Sequence, residues 1–166
     1  MNNESQDFSD SAVLKNCIKL CRRTIPVMNQ ILFLVKNKLY CRFNKMGKIS
    51  NLDLEKHQFL AHGLAWLATY VESLHQMLNW AEQLESNAEL SEKEILILQI
   101  AFGEYLAQIR GGIHMSQCEV IRITDFGLDQ DEINILNIEA VNILTTEGNA
   151  DGPRRRLVNL LTLNSG

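Results

Sequence analysis

The chain has 166 residues, 46% of them hydrophobic and 22% charged, with a net charge of −4. That length suits a single domain, residues 1–166, able to bury a core without disulfides or metal, and the composition excludes disordered, fibrous and disulfide-scaffold classes. The longest purely apolar run, Ile31 to Val35, is far below the ~20 residues that span a bilayer, so no membrane partner is expected.

The opening MNNESQDFSD is polar and acidic, unlike a secretory or mitochondrial leader; residues 1–8 are expected to be disordered and the protein cytoplasmic. Ser9 or Asp10 can cap a first helix carrying Val13, Cys17, Leu20 and Cys21. Pro26 then interrupts an apolar pattern that continues through Ile31, Leu34, Val35 and Leu39, which predicts a break or kink near Arg23–Ile25. Cys17 and Cys21 share a helix face but read as small core residues rather than a disulfide or a metal site. Met46-Gly47-Lys48 ends this region.

From Ser50 to about Ser86 the spacing predicts one long helix. Phe59, Gly63, Trp66, Tyr70, Ser73, Met77, Trp80 and Leu84 repeat at steps of four and three. Leu60, Leu64, Leu67, Val71, Leu74, Leu78 and Ala81 do the same one residue over. A polar stripe runs through His62, Thr69, Glu72, Gln76, Asn79 and Gln83. Two apolar seams and one polar stripe describe a helix with two packing partners at the centre of a bundle. Ser91-Glu92-Lys93-Glu94 is a capping box opening a third helix, with Ile95, Leu98, Phe102, Tyr105, Leu106 and Ile109 inward and Gly111-Gly112 as its stop. Ile113–Leu128 reads as loop or a short extended piece. Asp129 and Glu132 suggest another cap, for a helix bearing Ile133, Leu136, Ala140, Ile143 and Leu144. Pro153 starts a last helix with Leu157, Leu160 and Leu161. The fold class is therefore all-α: an antiparallel bundle of four to five helices with a long central helix near 51–86.

No cluster of side chains amounts to a catalytic, cofactor or metal site. Glu72-x-x-His75 has the spacing of a di-iron ligand pair, but no second pair accompanies it and Glu72 lies on the polar stripe. Glu104 and Gln99 interrupt the apolar face of the third helix. A half-buried carboxylate there is expected to pair with an arginine or amide, with Arg110 or a tyrosine such as Tyr70 or Tyr105 able to serve, rather than to act as a base. Charge is uneven: residues 1–50 hold nine Lys/Arg against three acids, and residues 51–166 seven against seventeen. That allows a free-standing interaction protein whose basic N-terminal half binds an acidic partner or nucleic acid. Nucleic acid is the weaker reading, because aromatics do not interleave with the basic residues.

Two segments, AHGLAWLATYVESLHQMLNWAEQL (Ala61–Leu84) and LILQIAFGEYLAQIRGGIHMSQCE (Leu96–Glu119), resemble the helical N-terminal extension of methylsuccinyl-CoA dehydrogenases, flavin-dependent members of the acyl-CoA dehydrogenase superfamily. The likeness is strongest over residues 55–128 and looser at GNADGPRRRLVNLL. It departs at His114 and Cys118, and in a basic N-terminal region less rich in alanine. The resemblance implies an accessory or docking domain that is not catalytic by itself. No cofactor is expected in this chain, since FAD would belong to the family's catalytic domain, which these residues do not include. It further implies a separately encoded acyl-CoA dehydrogenase body, or a second copy of the chain, as partner. The residues it offers for docking are Trp66, Tyr70, Trp80, Gly111, Gly112, Met115, Ser116 and Gln117, the last five forming a structured turn; the alternative is that the aromatics form a core seam, the glycines cap the helix and Met115 plugs the bundle end.

Overall fold

The computed structural model describes residues 12–45, 48–49 and 55–163. The first helix, α1, runs over Cys17–Phe43, and its buried residues, among them Cys17, Cys21, Thr24, Met28, Ile31, Val35, Leu39 and Phe43, form the stripe that the helical period demands. Two expectations are corrected here. The helix starts at Cys17, after a left-handed Asn16, rather than near Asp10; Ala12 to Asn16 are not helical, and Ser9 and Asp10 lie outside the described residues. Nor does Pro26 break it: of the expected break or kink, the break is overturned, for α1 continues without interruption through that residue. Pro26 is exposed, so its ring does not disturb the packed face. One turn earlier the Thr24 hydroxyl donates to the Cys21 carbonyl at 2.8 Å.

A short antiparallel pair, β1 (Asn44–Lys45) and β2 (Lys48–Ile49), follows. The long helix α2 spans Gln58–Ser86 and buries Leu60, Gly63, Leu67, Tyr70, Val71, Leu74, Leu78 and Ala81. Its expected start at Ser50 lies outside the described residues, and His57 is a turn residue that precedes it. Helices α1 and α2 run antiparallel. The Phe43 ring stacks on His57 at one end, with centroids 5.3 Å apart, Asn29 meets His75 at 2.9 Å midway, and Arg22 pairs with Glu82 at 2.8 Å at the other end.

Helix α3, Glu92–Gly111, opens with the capping box of Ser91 and Glu94. None of its residues from Glu92 to Ile109 is exposed, so α3 is the most enclosed element, with α1, α2 and the C-terminal segments all packed on it. It ends at Gly112, whose φ of 135° is open to glycine, and a Cβ there would also meet Val120 Cγ1 at 2.6 Å. The chain then forms a hairpin, β3 (Ile113–His114) with β4 (Val120–Ile121), in register Ile113 to Ile121 and His114 to Val120. A 3-10 turn over Ile123–Phe126 tucks Ile123 and Phe126 into the core.

The single helix expected after Asp129 is instead divided. The Asp129–Glu132 capping box is present, but the helix it opens, α4, covers only Gln130–Asn134, and α5 begins anew at Glu139 and runs to Ile143. Residues Leu144–Gly148 widen into a π turn. Carbonyls in this stretch are met by threonine hydroxyls, Thr145 on Val141 at 2.8 Å and Thr146 on Asn142 at 2.8 Å. The last helix, α6, covers Asp151–Leu163, with Pro153 in its first turn where backbone donors have no helical partner. It is fastened to α3 by Arg156 and Glu92, which make two parallel hydrogen bonds of 2.6 and 2.7 Å. The architecture is the all-α bundle expected from sequence, with two small hairpins at its ends.

Candidate docking surface

The aromatic line on α2 is drawn inward. Tyr70 is buried, its hydroxyl donates to Gln108 Oε1 at 2.6 Å, and its ring lies 4.6 Å from that of Tyr105. Burial raises the Tyr70 pKa above the usual tyrosine value, with Tyr105 and Glu104 adding to the effect. Trp66 is half-buried, edge-on to Tyr70 at 6.0 Å, with its indole N–H donating to His62 Nε2 at 3.0 Å. Trp80 and Met77 are likewise half-buried against the core. Of this seam, Phe59 is the large apolar side chain that stands clear of the surface, at 41% exposure.

Glu104 is the centre of a polar network. It accepts from Gln108 Nε2 at 3.2 Å and is paired with Arg154, which also donates to Asn149. The expected pairing with an arginine or an amide is present, but the arginine is Arg154, since Arg110 turns to Asn142 and Asn137, at 3.0 and 3.3 Å. The reason is positional, because α6 returns along α3 and brings Arg154 over Glu104, a contact no local spacing encodes. The network, half-exposed at Glu104 and Arg154, links α2, α3 and α6.

Gly111 and Gly112 end α3, and the hairpin follows at the same end of the bundle. Its turn is closed by Met115 and Ser116 backbone N–H groups donating to the Glu119 carbonyl at 2.9 and 3.3 Å. Met115 is buried and contributes to the core, whereas Ser116, Gln117 and Cys118 are exposed at the tip. Ile121 of β4 packs on Gly63 of α2, which seats the hairpin beside Phe59, His62 and Trp66. The expected docking residues thus divide. Ser116 and Gln117 offer surface, Trp66 and Trp80 offer edges, and Tyr70 and Met115 are structural.

The remaining candidates are held in structural bonds. Glu72 accepts from Gln76 at 2.7 Å, and His75 is bonded to Asn29. The Cys17 and Cys21 sulfurs lie 4.0 Å apart, buried as free thiols, and burial together with Cys17 pushes the Cys21 pKa far up, which makes it a poor nucleophile. Among the described residues no three His, Cys, Asp or Glu side chains cluster as a metal site, and no helix is long and apolar enough to cross a membrane.

Sequence reasoning missed one surface altogether. On the outer side of α1, Phe33 and Tyr40 are 61% and 57% exposed. They stand seven residues apart with Lys36 between them. The available signal was the absence of any acid within α1.

No family model matches the chain. It is 46% identical over 154 residues to the (2S)-methylsuccinyl-CoA dehydrogenase of Cereibacter sphaeroides, a match that covers 93% of this chain and 27% of the relative. The identity reaches well beyond residues 55–128, where the resemblance in sequence was strongest. Over nearly its whole length, then, the chain is similar to a segment amounting to about a quarter of a methylsuccinyl-CoA dehydrogenase, an acyl-CoA dehydrogenase-type enzyme.

Proposed function

We propose that the chain is an accessory helical module of a methylsuccinyl-CoA dehydrogenase-like flavoprotein, which docks on the catalytic body and carries no dehydrogenase chemistry of its own. The observation that carries this reading is the proportion of the match: almost all of this chain against 27% of the relative. The held state of the polar groups supports it. Glu104, the half-buried carboxylate best placed for acid–base work, is paired with Arg154 and Gln108, and Glu92 is paired with Arg156, whose hydrogen bonds lower its pKa. The docking end is the hairpin that packs on α2 through Ile121 and Gly63, with Ser116 and Gln117 exposed at its tip. Loops on a rigid scaffold commonly carry such contacts.

The test has two parts. The purified chain is expected to retain no flavin absorbance and to reduce no electron acceptor when given methylsuccinyl-CoA; turnover would overturn the reading. Co-expressed with the part of the matched (2S)-methylsuccinyl-CoA dehydrogenase that this chain does not cover, the chain is expected to co-purify with it. The paired change Phe59→Ser and Gln117→Arg is expected to weaken the association at least tenfold. Association indifferent to those changes would remove the hairpin end from the proposal.

A further inference from the structure

Helix α1 contains Lys19, Arg22, Arg23, Lys36, Lys38 and Arg42, and no carboxylate along its 27 residues. Three of these cations are neutralised within the molecule: Arg22 by Glu82 at 2.8 Å, Arg23 by Glu139 at 3.3 Å, and Lys38 by Glu132 at 2.9 Å. Lys36 has no ion pair among the described residues. It sits on the outer face of the helix between Phe33 and Tyr40, the two most exposed of the large hydrophobic side chains described. Residues 33, 36, 37 and 40 share that face, because neighbours three and four apart on a helix lie side by side.

Nothing among the described residues covers the two rings, which keep 61% and 57% of their surface exposed. Two exposed aromatics flanking an unpaired cation on one helix face mark an interaction surface rather than scattered surface apolars.

We propose that the outer face of α1 docks a helix of another polypeptide that presents two apolar side chains seven residues apart with a carboxylate between them. Seven residues rise about 10 Å along a helix, which matches the two anchors to Phe33 and Tyr40 and sets the carboxylate opposite Lys36. Charge selects this occupant over the others. Polynucleotides are held by many phosphate contacts at once; this stretch supplies one unpaired cation, Lys36, set among Asn29, Gln30 and Asn37. A second copy in a two-fold antiparallel pairing would lay Phe33 of one chain on Tyr40 of the other, and would bring both Lys36 ammonium groups to the centre of the contact. The surface lies on the long side of α1, apart from the hairpin tip, and the inference stands whether or not the partner is a dehydrogenase.

The experiment is an anisotropy titration of the full chain with a labelled synthetic amphipathic helix carrying leucines seven apart, a glutamate midway and a polar remainder. Saturable binding that weakens as salt rises is expected. The double change Phe33→Ser and Tyr40→Ser should weaken it at least tenfold, and Lys36→Glu should weaken it similarly. Replacing the peptide's central glutamate by lysine should restore binding to the Lys36→Glu chain and not to the parent. All three positions are exposed, and unchanged circular dichroism checks that the variants fold. Absence of binding to the parent, variants that bind as the parent does, or failure of the charge swap would each overturn the proposal. Two competing occupants are read in parallel. A single-stranded oligonucleotide whose binding needs the same three residues, or a dimer in sedimentation that dissolves on Phe33→Ser, would assign the face elsewhere and equally overturn it.

Discussion

Gln99 lies fully buried on α3, yet both ends of its amide are used: Nε2 donates to the Ala12 carbonyl at 2.7 Å and Oε1 accepts from the Leu14 N–H at 2.9 Å. The residue that interrupts the apolar pattern thereby staples the N-terminal segment to the core. Gln99→Leu would leave two backbone groups near the core unpaired, at about 1–3 kcal/mol each. Lower stability in urea titration is expected, with faster trypsin cleavage after the exposed Lys15; cleavage at the parent rate would show the staple to be dispensable. Two glycines make a second residue-scale prediction. A Cβ on Gly103 would run into the Leu144 carbonyl and the backbone and Cβ of Asn149, whereas one on Gly63 would strike the Ile121 side chain. Backbone cannot step aside as a side chain can. Gly103→Ala is therefore expected to cost more than Gly63→Ala, which falls in the 1–3 kcal/mol range typical of overpacking. Gly111→Ala, with nothing within 4 Å, should be close to neutral in the same urea titrations.

At the scale of the element, the start of α3 rests on a sequence-local device. Glu94 bonds the Ser91 hydroxyl and accepts from the Ser91 N–H at 3.2 Å, with Lys93 at 3.0 Å alongside. The Ser91 hydroxyl, followed by Lys93, holds the Glu94 carboxyl at a pKa of about 2, against 4.5 for the free group. A carboxylate depressed on folding stabilises the native state fully above its unfolded pKa. That contribution fades as pH falls from about 4.5 towards 2. Ser91→Ala should cost about 1 kcal/mol at neutral pH and flatten the loss of thermal stability across that acid window. A melting curve with the same slope between pH 4.5 and 2 would dissociate the pKa shift from the cap. Pro26 was misjudged at this same scale. Its penalty of ~3 kcal/mol is an average for helix interiors, and tertiary burial of the stripe on both sides of it outweighs that here. Conversely, α4 stops after one turn although its apolar pattern continues. Ile138 takes an extended conformation with ψ of 151°, so that α5 restarts and its following π turn can approach Gly103.

Across the whole molecule, the heptad residues of α2 carry the core. Leu67 and Leu74 have no exposed surface, and Leu→Ala at either should cost ~2–5 kcal/mol, read by chemical denaturation. A cost below 1 kcal/mol would mean that the two apolar seams do not close the bundle. The charge asymmetry between the halves is put to use at this scale. Ion pairs from Arg22, Arg23 and Lys38 to Glu82, Glu139 and Glu132 join the basic N-terminal helix to acidic residues 60 to 116 positions away. Phe33 and Tyr40, with Lys36 between them, stay exposed on the outer face of that helix.

What the sequence determined by itself follows from short-range physics. The helix period, the Ser91 and Asp129 capping boxes and the glycine stop after Ile109 depend on residues within four positions of one another, and each was legible, as was the family likeness through its runs of consecutive residues. What only the tertiary structure decided depends on contacts between distant elements. The choice of Arg154 over Arg110 for Glu104, the division of the helix after Asn134 and the exposure of Phe33 all turn on which face meets a neighbour. An amphipathic pattern says that a helix has an inner side; only packing says how much of its outer side stays open.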